Sequence, residues 1–355
     1  MYQYKEIKNV HLEITDKCNA ACPQCARNDF GGQINPRLPL VELSLEQIKN
    51  IFPRNFVSQL NSIYACGNYG DAIVAKDTLE IFQYFRSCSP TIKLTLYTNG
   101  SARSTSWWQA LAQVLKLEHG EVIFGLDGLE DTNHIYRRNT NWSVIMRNVE
   151  SFIATGGNAH WFFIVFRHNE HQIEAARQLA DKLGFRSFKV QKTNRFSDPS
   201  NLDSKARTPI KNNKGEIIDW LEAPVNPERY DYKNRPHPRD AEKKFGSMQS
   251  YLDQIHIDCK AVKDKSIYVS ASGHVLPCCY LATHLFNDGL PDAHRQILPI
   301  LANMGGLDRI NANKESLGNI IQEPFFQKHL PESWEKPSFT AGKIHTCSSV
   351  CGKIP

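Results

Sequence analysis

From residue 8 to about 195, short runs of β-branched and aromatic residues alternate with stretches whose apolar positions recur at helical spacing. The alternation predicts strands at Asn9–Thr15, Ser62–Ala65, Lys93–Tyr97, Val122–Leu126, His160–Phe166 and Ser187–Val190. It predicts helices at Ser44–Ile51, Lys76–Phe85, Ser106–Leu117, Ser143–Ala154 and His171–Leu183. Ser44 serves as a start signal, and Gly156-Gly157 and Gly184 as stops. Six strand–helix repeats imply an α/β fold with a parallel sheet, either open or curled into a partial barrel. Ligands of such sheets sit at the C-terminal ends of the strands.

Beyond Asn194 the pattern fails. Pro199, Pro209, Pro224, Pro227, Pro236 and Pro238 interrupt a charged stretch that runs to about Ser250. Residues 196–253 are therefore expected to be an irregular connection that acts as a lid or a substrate-binding segment. A second unit is expected over 254–355, opening on a hairpin in which Ser266–Ser270 and His274–Leu276 flank Ala271-Ser272-Gly273.

Composition narrows the class. Hydrophobic residues are 41% of the chain, which excludes wholesale disorder, and the net charge of +5 is spread without a block of one sign. That distribution argues against a nucleic-acid groove. The opening MYQYKEIKNV lacks the apolar core of a secretory signal, and no run approaches a membrane span, so a cytoplasmic location with no membrane partner is expected. Ten cysteines in a reducing compartment argue for metal binding or catalysis rather than disulfides.

Three cysteines stand together directly after the first strand, in Cys18-Asn-Ala-Ala-Cys22-Pro-Gln-Cys25. Three thiolates on one tight loop can each take one iron of a [4Fe–4S] cubane and leave the fourth iron open to a ligand. The alternative is zinc, which asks for a fourth nitrogen or sulfur ligand that no local spacing supplies.

A CX3CX2C loop at the end of strand one, followed by six βα units, resembles the radical S-adenosylmethionine superfamily over about residues 8–195. The resemblance implies a partial (β/α)6 TIM-like barrel. In that family the open iron chelates S-adenosylmethionine, and an electron from the cluster releases a 5′-deoxyadenosyl radical that abstracts hydrogen from substrate. It also implies cofactor contacts for the turn Gly67-Asn68-Tyr69-Gly70-Asp71, for Asn99 after strand three and for Asp127 after strand four. The turn departs from the common Gly-Gly-Glu-Pro form. Arg137 or Arg138 is placed to hold the cofactor carboxylate, and either is otherwise a surface helix residue. Asn169 reaches the ribose or is an ordinary turn residue. Cys66, just before the glycine turn, either packs as a small hydrophobe or donates a hydrogen atom to a substrate radical. Cys88 reads as a packing residue.

The remaining set is Cys259, Cys278, Cys347 and Cys351, with Cys279 as an alternate ligand. Its spacing, with four residues between Gly273 and Cys278 and a closing CX3C pair, resembles the SPASM and Twitch auxiliary-cluster domains. Four cysteines suit the shorter Twitch form with a second [4Fe–4S] cluster, or else a structural zinc site. Auxiliary-cluster relatives chiefly modify ribosomally made peptides, by epimerisation, crosslinking or backbone excision. The resemblance thus implies a peptide substrate and an electron donor such as flavodoxin or ferredoxin, and the lack of an evident N-terminal leader-binding module leads us to expect a separate leader-recognition protein. Its rivals are a small-molecule enzyme of the same chemistry, such as an alcohol dehydrogenase, and a non-catalytic iron–sulfur or zinc scaffold.

Overall fold

A computed structural model of the chain describes residues 1–115, 118–193, 195–196, 207–225, 243–286 and 296–353. Six parallel strands follow one another in chain order: β1 (Asn9–Leu12), β2 (Ser62–Ala65), β3 (Lys93–Thr98), β4 (Gly120–Gly125), β5 (Ala159–Ile164) and β6 (Ser187–Gln191). The helices between them are α1 (Leu45–Ile51), α2 (Arg54–Val57), α3 (Thr78–Cys88), α4 (Thr105–Val114), α5 (Asn133–Tyr136), α6 (Trp142–Ala154) and α7 (Ile173–Leu183). This is the α/β architecture the sequence pattern predicts. The chain divides into two compact units, one of residues 13–45 and 63–232, the other of 1–12, 46–62 and 233–355.

In the first unit, local chemistry sets the helix ends. The Ser104 hydroxyl accepts the Trp107 N–H at the start of α4, and the Asn141 carboxamide accepts the Val144 N–H at the start of α6. Gly184, at φ 86°, takes the left-handed conformation that stops α7. The core packs helix aromatics against the strands. Trp108 of α4 and Phe152 of α6 contact Phe124 of β4 at ring separations of 5.4 and 6.1 Å. All three are fully buried, as are Trp161 and Phe163 of β5.

Strand one is shorter than expected. It ends at Leu12, because from Glu13 onward the chain turns to other partners: Leu43 N–H donates to the Ile14 carbonyl, and Thr15 bridges to Glu42. The stretch expected to be irregular contains an antiparallel hairpin, β7 (Arg207–Lys211) and β8 (Ile217–Glu222). Pro209 does not prevent it, because in a two-stranded ribbon each strand is an edge and a missing N–H can face outward. The surroundings of Pro199, Pro227, Pro236 and Pro238 lie outside the described residues.

In the second unit β1 runs parallel to β10 (Ser266–Val269), and β10 pairs antiparallel with β11 (Val275–Leu276) around Gly273 at φ 86°. This is the hairpin read from the sequence. A short ribbon pairs β9 (His256–Ile257) with β12 (Gly352–Lys353). It draws Cys259 and Cys351 towards each other, since each lies within two residues of the ribbon. Asp258 secures it by binding both Lys263 and Lys353, and those two ammonium groups hold its carboxyl down at about 2. No helix among the described residues is long and apolar enough to cross a membrane.

Candidate active site

All of the cysteine loop lies in the first unit, at the C-terminal end of the sheet where parallel strands place ligands. Cys22 is buried, while Cys18 and Cys25 are half-buried against Ala20, Tyr136 and Phe166. Nitrogen donors surround the sulfurs. The Ala20 N–H donates to Cys18 Sγ at 3.3 Å and the Asn99 carboxamide at 3.8 Å. Arg137 Nη1 lies 3.9 Å from Cys22 Sγ. Burial pushes the Cys22 thiol up to about 11 and Cys18 higher still, with the Arg137 guanidinium pulling Cys22 back.

The glycine turn after β2 is built on a carboxylate the sequence reading missed. Glu13, buried just past β1, accepts the backbone N–H of Tyr69 at 2.7 Å and of Gly70 at 3.1 Å. The signal was there, as one acid inside the apolar run Val10-His11-Leu12-Glu13-Ile14. Both glycines are required by close approach rather than by torsion angle. A Cβ on Gly67 would lie 1.9 Å from the Gly70 carbonyl oxygen, and one on Gly70 would lie 1.8 Å from that of Thr15. The Asn68 carbonyl sits 4.0 Å from Cys25 Sγ, which brings the turn against the cysteine loop.

Asp71 ties the turn to the end of β3. Its Oδ2 accepts from the Thr98 hydroxyl at 3.0 Å, and from both the backbone and side-chain nitrogens of Asn99 at 2.8 Å. Asn99 is thereby aimed at Cys18. Asp127, fully buried after β4, accepts Arg137 Nε at 2.6 Å and the Ile164 N–H at 2.6 Å. Burial raises both carboxyls above the usual range, against the hydrogen bonds that favour their charge.

The structure separates the two arginines. Arg137 bridges Asp127 and Cys22, whereas Arg138 Nη1 donates to the carbonyls of Gly31 and Lys211, at 2.9 and 2.6 Å. Asn169 is spent on backbone: it donates to the Asp127 and Ile164 carbonyls and accepts the Phe166 N–H. Cys66 faces the same site. Burial, then the charges of Glu13 and Asp71, push its thiol up to about 12, so it stays protonated. Cys88 closes α3, away from these groups.

In the second unit Cys259, Cys278, Cys347 and Cys351 line one cavity with Leu330 and Trp334. Cys278 faces it, whereas its neighbour Cys279 opens the helix Cys279–Phe286 and is not part of the lining. Each sulfur meets a nitrogen donor: the Val262 N–H at Cys259, the Tyr280 and Leu281 N–H at Cys278, the Trp334 indole at Cys347 and the Lys260 N–H at Cys351. The Cys259 thiol donates to Cys351, which holds Cys259 protonated and pulls Cys351 down.

Among the described residues no three His, Cys, Asp or Glu side chains converge on a point that would hold a single metal ion. Zinc needs that convergence, with every sulfur about 2.3 Å from one ion. A cubane does not, because each thiolate takes its own iron. None of the ten cysteines forms a disulfide. Sulfurs withdrawn from water but supplied with N–H donors are the surroundings that iron–sulfur clusters occupy. Both sets therefore fit such a group.

Residues 12–180 match the Radical SAM superfamily model. Among solved structures, Streptococcus suis SuiB bound to S-adenosylmethionine is similar at a TM-score of 0.51 and 12% identity, over 90% of this chain and 66% of that one. SuiB bound to its precursor peptide SuiA gives 0.53 and 13%, over 91% and 67%. Native anSMEcpe with bound AdoMet and the Kp18Cys peptide gives 0.51 and 12%, over 94% and 88%. At these identities the likeness is one of fold, and the chain spans about two thirds (66%) of the length of SuiB. Residues 12–180, which carry the cysteine loop, the glycine turn and the arginine-bridged carboxylate after β4, thus form a domain of the radical SAM type.

Proposed function

We propose that the protein is a radical S-adenosylmethionine enzyme that modifies a ribosomally made peptide. The observation that carries the reading is the convergence on one loop of Cys18, Cys22 and Cys25 with Asn99, Arg137 and the Glu13-held turn. Cys18, Cys22 and Cys25 would hold a [4Fe–4S] cluster through three irons. When bound, that group supplies the electron that cleaves S-adenosylmethionine to methionine and a 5′-deoxyadenosyl radical, which takes hydrogen from the substrate.

The chain's own residues arrange the rest. The Arg137 guanidinium reaches both a loop cysteine and the carboxylate that follows β4, and a planar fork of donors suits the cofactor carboxylate. The backbone of Gly67 to Asp71 comes close enough to meet a ligand only because two of its positions lack a Cβ. Cys66 keeps its proton beside the site, which makes it the group able to give a hydrogen atom to a substrate radical. Cys259, Cys278, Cys347 and Cys351 would hold a second, fully ligated cluster, suited to pass electrons rather than to bind cofactor. The peptide class is supported by the fold shared with SuiB and anSMEcpe, whose structures hold peptides.

The test is cofactor cleavage. Anaerobically reconstituted protein, given dithionite and S-adenosylmethionine, should form 5′-deoxyadenosine, and Cys22→Ala should form none. Cleavage at the parental rate by Cys22→Ala would sink the assignment. Product mass after incubation with candidate precursor peptides tests the substrate class.

A further inference from the structure

The four sulfurs of the second set do not receive their donors in the same way. Cys259, Cys278 and Cys351 face backbone N–H groups near the first turns of the helices Lys260–Lys263 and Cys279–Phe286. Those donors come with the fold, and no side-chain substitution removes them. Cys347 instead faces the indole of Trp334, which lines the same cavity. The Trp334 Nε1–H is withdrawn from water and has no acceptor at hydrogen-bond geometry in the protein. A buried indole N–H without a partner is costly, so it calls for an acceptor, and the Cys347 sulfur lines the same cavity.

We propose that Trp334 is a positioning residue for the auxiliary cluster: its indole N–H donates to the Cys347 thiolate and raises the cluster's reduction potential. The claim rests on the reading of Cys259, Cys278, Cys347 and Cys351 as cluster ligands. Its physical basis is charge. Adding an electron puts more negative charge on the ligating sulfurs, and a donor aimed at one of them stabilises the reduced form more than the oxidised form. An indole has one N–H, no acceptor and no charge, so it tunes the sulfur without titrating.

The experiment uses the full chain with Cys18→Ala, Cys22→Ala and Cys25→Ala together, so that only the second set can hold iron. After reconstitution with iron and sulfide, the midpoint potential is followed by electron paramagnetic resonance during a redox titration. Trp334→Phe keeps the ring and removes the donor. Its potential should fall to a more negative value, by roughly a tenfold change in the one-electron reduction equilibrium, or about 59 mV. Trp334→His keeps a ring N–H and should recover part of that fall. An unchanged potential in Trp334→Phe, or equal shifts in the Phe and His variants, overturns the proposal while leaving the cluster reading intact. Absence of iron from the triple variant itself overturns the cluster reading, and the Trp334 assignment with it. Should Trp334→Phe alone lose its iron, Trp334→His decides: iron kept near the parental potential supports the donor role, and iron lost overturns it.

Discussion

Three buried carboxylates frame the N-terminal site, and each is engaged with backbone N–H groups. Glu13 holds Tyr69 and Gly70, Asp71 holds Ile73 and Asn99, and Asp127 holds Ile164. They act as struts that set where the loops stand, which leaves Arg137 and Asn99 facing the cysteines. Removing a strut should therefore act on stability before chemistry. Glu13→Ala leaves the buried Tyr69 N–H and the part-buried Gly70 N–H without their acceptor, at about 1–3 kcal/mol in all, while Glu13→Gln keeps an acceptor and should recover about half the loss. Urea unfolding of the three proteins measures this, and equal midpoints would refute the strut role. The sequence made Cys18, Cys22 and Cys25 legible because their spacing is their chemistry. It could not choose between Arg137 and Arg138, since neighbours on one chain segment point different ways only once the fold exists. Glu13 was hidden because an acid in a strand ordinarily reads as a solvent-facing position.

At the level of elements, the strand–helix alternation was readable throughout β1 to β6, because each apolar run has a single period. The β7–β8 hairpin was not, since Pro209 and the surrounding charges mask a strand whose outer face is exposed. The glycine turn after β2 is the element on which the site most depends. With the Thr15 carbonyl 1.8 Å from where a Cβ would stand, Gly70→Ala must displace backbone on both sides. Overpacking of that kind costs about 1–3 kcal/mol, and here the displaced segment is the one leading into Cys18. The variant should bind S-adenosylmethionine at least tenfold more weakly by calorimetry, while its second cysteine set keeps its iron. Binding at parental affinity would show that the turn does not meet the cofactor.

At the level of the whole molecule, each cysteine set belongs to one compact unit. Reconstituted protein should accordingly hold about eight irons, and about four when Cys18, Cys22 and Cys25 are replaced together. Complete iron loss in that variant, or zinc in place of iron, would argue against two independent centres. The sets also differ in how far along the chain their members stand. The first is complete within a single loop, whereas the second needs Cys259 and Cys278 joined to Cys347 and Cys351 across the β9–β12 ribbon. Closing so long a loop carries an entropic cost that a local motif avoids. During synthesis, then, the cysteine loop is fully translated early and the other centre only when the last pair has emerged. On the proposed reading, the ligands that would meet the cofactor are all present in the nascent chain long before those that would carry electrons.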